Sequence, residues 1–276
     1  MASLGDVQIT LIGGGTMAEA LVRGLLSREL AAPDHITVGE PLADRRAHLA
    51  GALGVGVTED NAEAAAGADV VVLAVKPQVA GKALPPLRGA LRQGALVLSI
   101  MAGVRIATLE SILGTVAIVR AMPNTPGQVG EGISAWTRNP AVTAAQAERA
   151  RAILGALGDE VEVPGEDYVD MATAVSGSGP AYVFLFLEAL VDAGVQLGLA
   201  RPVAERLALQ TVRGAAGYAQ RSSEHLAVLR NLVTSPGGTT AEGLFALEQG
   251  GLRAAVTQAV LAAYRRARVL GGIDTE

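Results

Sequence analysis

The sequence predicts an α/β chain, with a doubly wound parallel sheet in residues 1–164 and an all-helical domain in residues 165–276. Three observations predict it. Short apolar runs rich in β-branched residues alternate with helical stretches as far as Ala121, the pattern of parallel strands covered on both faces. The first run leads straight into Gly13-Gly14-Gly15 at the opening of a helix. Beyond Gly165 the apolar residues follow helical spacing, punctuated by Gly and Pro.

The elements follow in order. Val7–Ile12, Ile36–Glu40, Val55–Thr58, Asp69–Val75, Ala95–Ile100 and Val116–Ala121 read as strands, with helices over Thr16–Glu29 and Leu42–Ala50. Asp60 is placed to cap a short helix. Strand-like segments near Gly132–Trp136 and Val161–Val163 flank a helix at Thr143–Leu157. In the second half, Pro180 opens a helix, where its missing N–H does no harm. Gly198 and Pro202 divide that helix from one reaching Gln220. Leu226–Val233 and Leu252–Leu270 complete the series.

Composition excludes several function classes. The net charge is −5 with no basic block, so nucleic acid is disfavoured, since phosphate binding needs clustered Lys and Arg. No cysteine is present, which removes disulfides, thiolate catalysis and Cys-ligated metal. The three His residues show no ligand spacing with Asp or Glu, so no metal is expected. Met1–Asp6 is polar, and no signal peptide is expected. The most apolar long segment, Ala181–Ala200, carries Glu188, Asp192 and Gln196 as one polar stripe. That argues against a membrane span and leaves the cytoplasm as the expected compartment.

Gly13-Gly14-Gly15-Thr16-Met17-Ala18 fits the dinucleotide fingerprint G-x-G-x-x-G/A in its proper context. Gly13 permits the tight turn, Gly15 lets a pyrophosphate approach the backbone, and the helix N-terminus presents N–H groups to it. The first half is thus a Rossmann-type domain for a nicotinamide cofactor. Glu40, ending the second strand, suits both hydroxyls of an NAD ribose. Arg45 and Arg46 suit an NADP 2′-phosphate or merely decorate a solvated helix, so NAD and NADP both remain open. Later strand ends supply further candidate cofactor contacts: Ala74, Val75, Lys76 and Pro77; Ala102 and Gly103; and Asn124 in the stiff Met122-Pro123-Asn124-Thr125-Pro126 loop. Lys76 faces cofactor or substrate, or is only a charged strand terminus.

Two segments of the second half carry hydroxyls and glycines, Thr173–Tyr182 and Thr234–Glu242. The latter reads as a capping box with Thr239 as N-cap and Glu242 at N3, a helix start able to hold a carboxylate without Arg. Taken together, Gly13–Ala18, Ala74–Pro77, Arg120–Pro126, Ser176–Tyr182 and Ser235–Thr240 resemble the pyrroline-5-carboxylate reductase family. The resemblance implies an all-α C-terminal dimerisation domain, a site completed between dimer partners, and dimers that assemble into rings. It implies the substrate 1-pyrroline-5-carboxylate, bound by Ser235, Gly237, Gly238, Thr239 and Thr240 with Val175 and Ser176. The backbone around Gly238, Thr239 and Thr240 would hold the carboxylate, and the Thr240 hydroxyl would meet the imine nitrogen. It also implies NADPH as reductant, with NADH admitted by Glu40. The sequence departs from the family at His225-Leu226, where His-Pro is usual, and at Ser223, where an acid is usual. Alternatives on the same fold are a reductase of another imine, a hydroxy-acid dehydrogenase, and a dinucleotide sensor without catalysis. The hydroxyl-rich segments disfavour the dehydrogenase, which needs a stronger base. The sensor would not need a second hydroxyl-rich helix start.

Overall fold

The computed structural model describes residues 4–114 and 116–273; Met1–Ser3 of the polar N-terminal segment lie outside the described residues. The chain forms two compact units. One runs to Ser178 and resumes at Ala263; the other is Gly179–Ala262.

The first unit contains β1 (Ile9–Ile12), α1 (Thr16–Ser27), β2 (Ile36–Gly39), α2 (Ala43–Leu53), β3 (Gly56–Thr58), α3 (Asn61–Ala66), β4 (Val70–Leu73), α4 (Ala80–Ala83), β5 (Leu96–Ser99), α5 (Ile106–Leu113), β6 (Ala117–Met122), β7 (Gly132–Arg138), α6 (Ala144–Gly155), β8 (Gly158–Glu162) and α7 (Glu166–Ala172). Asp60 caps α3 as expected, accepting from Ala62 N and Glu63 N. The strands form one sheet in the order β3-β2-β1-β4-β5-β6-β7-β8. The order reverses between β1 and β4, the switch point beyond which ligands bind in such sheets. All neighbours run parallel except β6 and β7. The doubly wound parallel sheet expected from the sequence is thus present, with one antiparallel neighbour at β7. Pro123–Glu131, between β6 and β7, is too short for a parallel crossover, which takes about a dozen residues or more. The two segments expected only as strand-like are full members of the sheet.

Helices cover both faces because the strands are apolar on both. Val70, Val72, Leu96 and Leu98 pack with Leu21, Leu25 and Ile153 in one core. Their neighbours Val71, Leu73 and Val97 pack with Ala65, Leu109 and Leu113 in the other. This two-residue alternation is the strand period expressed as burial. Gly24 sets how closely α1 approaches its neighbours, since an added Cβ would collide with the Ala156 carbonyl. Gly24→Ala should therefore lower stability by about 1–3 kcal/mol, the usual range for overpacking. A denaturant midpoint equal to that of the unchanged protein would show that α1 can shift freely.

The α7 helix is clamped by charge. Arg120, buried within β6, pairs with Asp170 at 2.5 Å and Glu166 at 3.1 Å. Arg105 pairs with Asp170 at 3.0 Å and Asp167 at 2.5 Å. Glu166 also accepts from Ile106 N at the start of α5. Charges this deeply buried persist only when paired in this way. The clamp fixes the π-helical turn Thr173–Gly177 that follows α7.

The second unit consists of α8 (Gly179–Gln196), α9 (Arg201–Arg221), α10 (Leu226–Leu232), α11 (Thr239–Gln249) and most of α12 (Leu252–Leu270). Its own core is small: Val191, Ala204 and Ala208, with Leu187 and Val195 against them. Many large apolar side chains stay exposed, among them Phe184, Leu185, Leu207 and Leu209. Among the described residues, one helical stretch, Glu166–Gln196, is long and apolar enough by length and composition to cross a membrane. Core helices of soluble proteins meet the same test.

Candidate active site

The Gly13–Ala18 turn joins β1 to α1 at the carboxyl edge of the sheet. Each glycine has a separate geometric duty. Gly13 has φ +98°, and a Cβ there would press on Val75 at 2.8 Å and the Ala74 carbonyl at 3.1 Å. A Cβ on Gly14 would meet Leu49 at 2.7 Å and the Glu40 carboxylate at 3.2 Å. Gly15 is the N-cap of α1, with no side-chain cap, and faces open space where a Cβ would stand. The first N–H groups of α1, from Thr16 and Met17, have no acceptor within the helix. An exposed cradle that lacks a side chain and ends in unpaired donors fits a pyrophosphate.

The remaining predicted cofactor residues gather on the same edge, because β1, β2, β4, β5 and β6 are parallel there. Glu40 follows β2, Ala74–Pro77 follow β4, Ala102 and Gly103 follow β5, and Asn124 follows β6. Lys76 is exposed. Gly103 has φ +73°, and a Cβ there would press on Leu270 at 3.0 Å, so its missing side chain serves packing against α12. Asn124 accepts from Ile133 N and donates to the Ser176 carbonyl at 3.2 Å. Because residue 180 is proline, no N–H four residues on is available to that carbonyl, and the Asn124 amide takes the place. This bond brings the Val175–Ser176 turn to the carboxyl end of β6. Val175 is exposed there, while the Ser176 hydroxyl donates to the Ala172 carbonyl.

Sequence reasoning missed Asn61 and Glu19. Asn61, the first residue of α3, packs over Gly39, with its amide oxygen buried and without a partner. Its signal was its place directly after the capping Asp60, three residues beyond β3. Glu19, in the first turn of α1, gathers Arg23 and Arg45 at 2.6 Å each and His48 at 3.3 Å. Arg23 foremost, then Arg45 and His48, pull its carboxyl from the ordinary 4.5 down to about 2, against partial burial that would raise it. A carboxyl depressed in the folded state stabilises above its unfolded pKa, and that stability is lost as pH falls from about 4.5 towards 2. Glu19→Gln should therefore shrink the stability difference between about pH 5 and about pH 3. Denaturant midpoints at the two pH values check this; an undiminished difference would contradict it.

In the second unit, Ser235–Thr240 forms a turn into α11. Gly237 has φ +65°, and a Cβ on Gly238 would strike the Ser235 hydroxyl. The expected capping box is corrected here: Gly238 is the N-cap, with no side-chain cap bond, and Thr239 is the first helical residue. The left-handed Gly237 turns the chain one residue earlier than the Thr-x-x-Glu pattern suggested. The Gly238 N–H donates to the Ser235 carbonyl, so the free donors of this helix start are those of Thr239 and Thr240. His225 is the N-cap of α10, its Nδ1 accepting from Ala227 N at 3.1 Å. Leu226 thus stands at the first helical position, where the family's usual proline is equally at home.

A family model described as "Pyrroline-5-carboxylate reductase dimerisation" matches residues 166–270. One described as "NADP oxidoreductase coenzyme F420-dependent" matches residues 8–103. The chain is 48% identical over 266 residues to the pyrroline-5-carboxylate reductase of Synechocystis, covering 96% of this chain and 99% of that one. The chain belongs to the pyrroline-5-carboxylate reductase family. The Pseudomonas aeruginosa member is 45% identical, with 95% and 96% covered. A solved member from Coxiella burnetii superposes with a TM-score of 0.91 at 41% identity, over 96% of this chain and 99% of that one. The Plasmodium falciparum member, solved with NADP bound, superposes at 0.88 with 33% identity, over 98% and 100%.

Proposed function

We propose that this chain reduces 1-pyrroline-5-carboxylate to L-proline with NAD(P)H, the last step of proline biosynthesis. The single observation that carries this reading is near-full-length identity of 48% to a family member, joined to a dinucleotide cradle on the sheet edge. When bound, the reduced nicotinamide would supply a hydride, which this substrate accepts at the carbon of its protonated C=N bond, the carbon that becomes C5 of proline.

The chain's part is to bind and orient. The α1 N-terminus and Gly15 hold the pyrophosphate, and Glu40 reaches the adenosine ribose. The loops at Ala74–Pro77, Ala102–Gly103 and Asn124 confine the nicotinamide. The N–H groups of Thr239 and Thr240 take the substrate carboxylate, with Ser235 and Gly237 beside them; Val175 and Ser176 are further substrate contacts that the family resemblance implies. The Thr240 hydroxyl meets the imine nitrogen and steadies its proton. Purified protein mixed with pyrroline-5-carboxylate should consume reduced cofactor, read as falling near-ultraviolet absorbance, with proline accumulating in equal amount. Proteins that bind NADH yet leave the substrate untouched would match the sensor alternative instead.

The working unit is a homodimer in the cytoplasm, extending to a ring of dimers. The support is the dimerisation match and the apolar side chains left exposed on α8 and α9. Sedimentation should show a dimer or a multiple of it; a fully active monomer at low concentration would contradict the proposal.

A further inference from the structure

The end of β2 bears on which reduced cofactor the chain selects, a question that rests on the reductase reading above. Glu40 is 8% exposed and has no cationic partner among the described residues. Its two oxygens accept from backbone N–H groups instead, Gly14 N at 2.9 Å and Leu42 N at 3.0 Å. These bonds hold a carboxylate at the strand end that faces the adenosine ribose in this fold. A carboxylate accepts hydrogen bonds from ribose hydroxyls and repels a phosphate dianion in their place.

The two nearby cations are committed elsewhere. Arg45 donates through Nε to the Gly14 carbonyl at 2.5 Å and through Nη2 to Glu19 at 2.6 Å. Glu19 stays ionised at any working pH, being shared among Arg23, Arg45 and His48. Arg46 donates to the Glu40 and Pro41 carbonyls at 2.8 Å each and pairs with Glu59 at 3.1 Å. Thus both guanidiniums that would recognise a 2′-phosphate are anchored by the chain's own acceptors, and the group that would reject one is fixed in place.

We propose that this chain selects NADH over NADPH, with Glu40 as the specificity-determining residue and Glu19 as a positioning residue that withholds Arg45 from a 2′-phosphate. The preference is a difference of two affinities and contains a repulsive element, as discrimination between near-identical ligands requires.

Equilibrium titration of the intact protein with NADH and NADPH, followed by nicotinamide fluorescence, tests this without relying on turnover. NADH should bind at least roughly tenfold more tightly, a difference worth about 1.4 kcal/mol. Glu40→Gln and Glu40→Ser should narrow or reverse that ratio, chiefly by tightening NADPH. Glu19→Gln should release Arg45 and tighten NADPH by roughly threefold or more, leaving NADH nearly unchanged. A purely structural role for Glu19 would weaken both cofactors alike and leave the ratio fixed. The ratio of kcat/KM for the two cofactors should move in parallel with the binding ratio. Equal or tighter binding of NADPH by the unchanged protein overturns the inference, and so does a ratio indifferent to both Glu40 substitutions. Either result leaves the reductase reading intact if the substrate is still reduced. Failure to bind either nucleotide would overturn both.

Discussion

Gly15→Val is expected to give a folded protein that no longer binds the dinucleotide, with the dissociation constant raised by roughly a hundredfold or more. The backbone at Gly15 is extended, with φ −68° and ψ −177°, a conformation valine adopts readily. Apart from its chain neighbours, no atom of the described residues lies within 4 Å of a Cβ built there, so the fold itself has no objection. What the side chain would fill is the space in front of the α1 N-terminus, where the pyrophosphate must approach the N–H groups. The same change at Gly13 or Gly14 would be uninformative, since both collide with protein atoms and would disturb the turn. Calorimetric titration with NADH, alongside a melting curve, separates the two outcomes. A valine protein with unchanged melting and unchanged affinity would remove Gly15 from the cofactor site.

Thr240→Ala is expected to lower kcat by roughly tenfold or more, with cofactor KM little changed and Thr240→Ser retaining most activity. The structure removes the simplest rival explanation. Thr240 is the second residue of α11, and the helix is capped by Gly238 without any side-chain bond. Alanine at 240 therefore deletes no cap, and stability should change by less than about 0.5 kcal/mol. The backbone N–H that would hold the carboxylate remains in the alanine protein. A loss in kcat at constant melting temperature thus reports the hydroxyl at the reacting nitrogen. Wild-type kcat in Thr240→Ala would show that the hydroxyl has no chemical part.

The same two residues show what was legible in the sequence. Gly15 could be read directly, because a glycine after an apolar strand and before a helix has few physical purposes. The same held for the parallel core, where Val70–Leu73 and Leu96–Ser99 are apolar on both faces and admit few arrangements. The start of α11 was less legible. Two adjacent glycines let the chain enter the helix at either of two positions, and only the left-handed turn at Gly237 decides between them. The direction of β7 escaped notice because strand patterning carries no polarity; connection length does. The role of Arg45 was open in the sequence because its partner Glu19 lies 26 positions away on another helix. No periodicity links the two, and their meeting depends on how α1 and α2 pack. Asn124 was legible as a loop residue but not as the partner of Ser176, a bond that crosses 52 positions.

A hydride is expected to pass from the nicotinamide to the imine carbon of pyrroline-5-carboxylate. Reduction with cofactor deuterated at the transferable position of nicotinamide C4 tests it most directly, the product being examined by mass spectrometry and NMR. The expected product is proline carrying a single deuterium at C5, formed in equal amount to the oxidised cofactor. Proline without deuterium, or cofactor oxidation without proline, would contradict it.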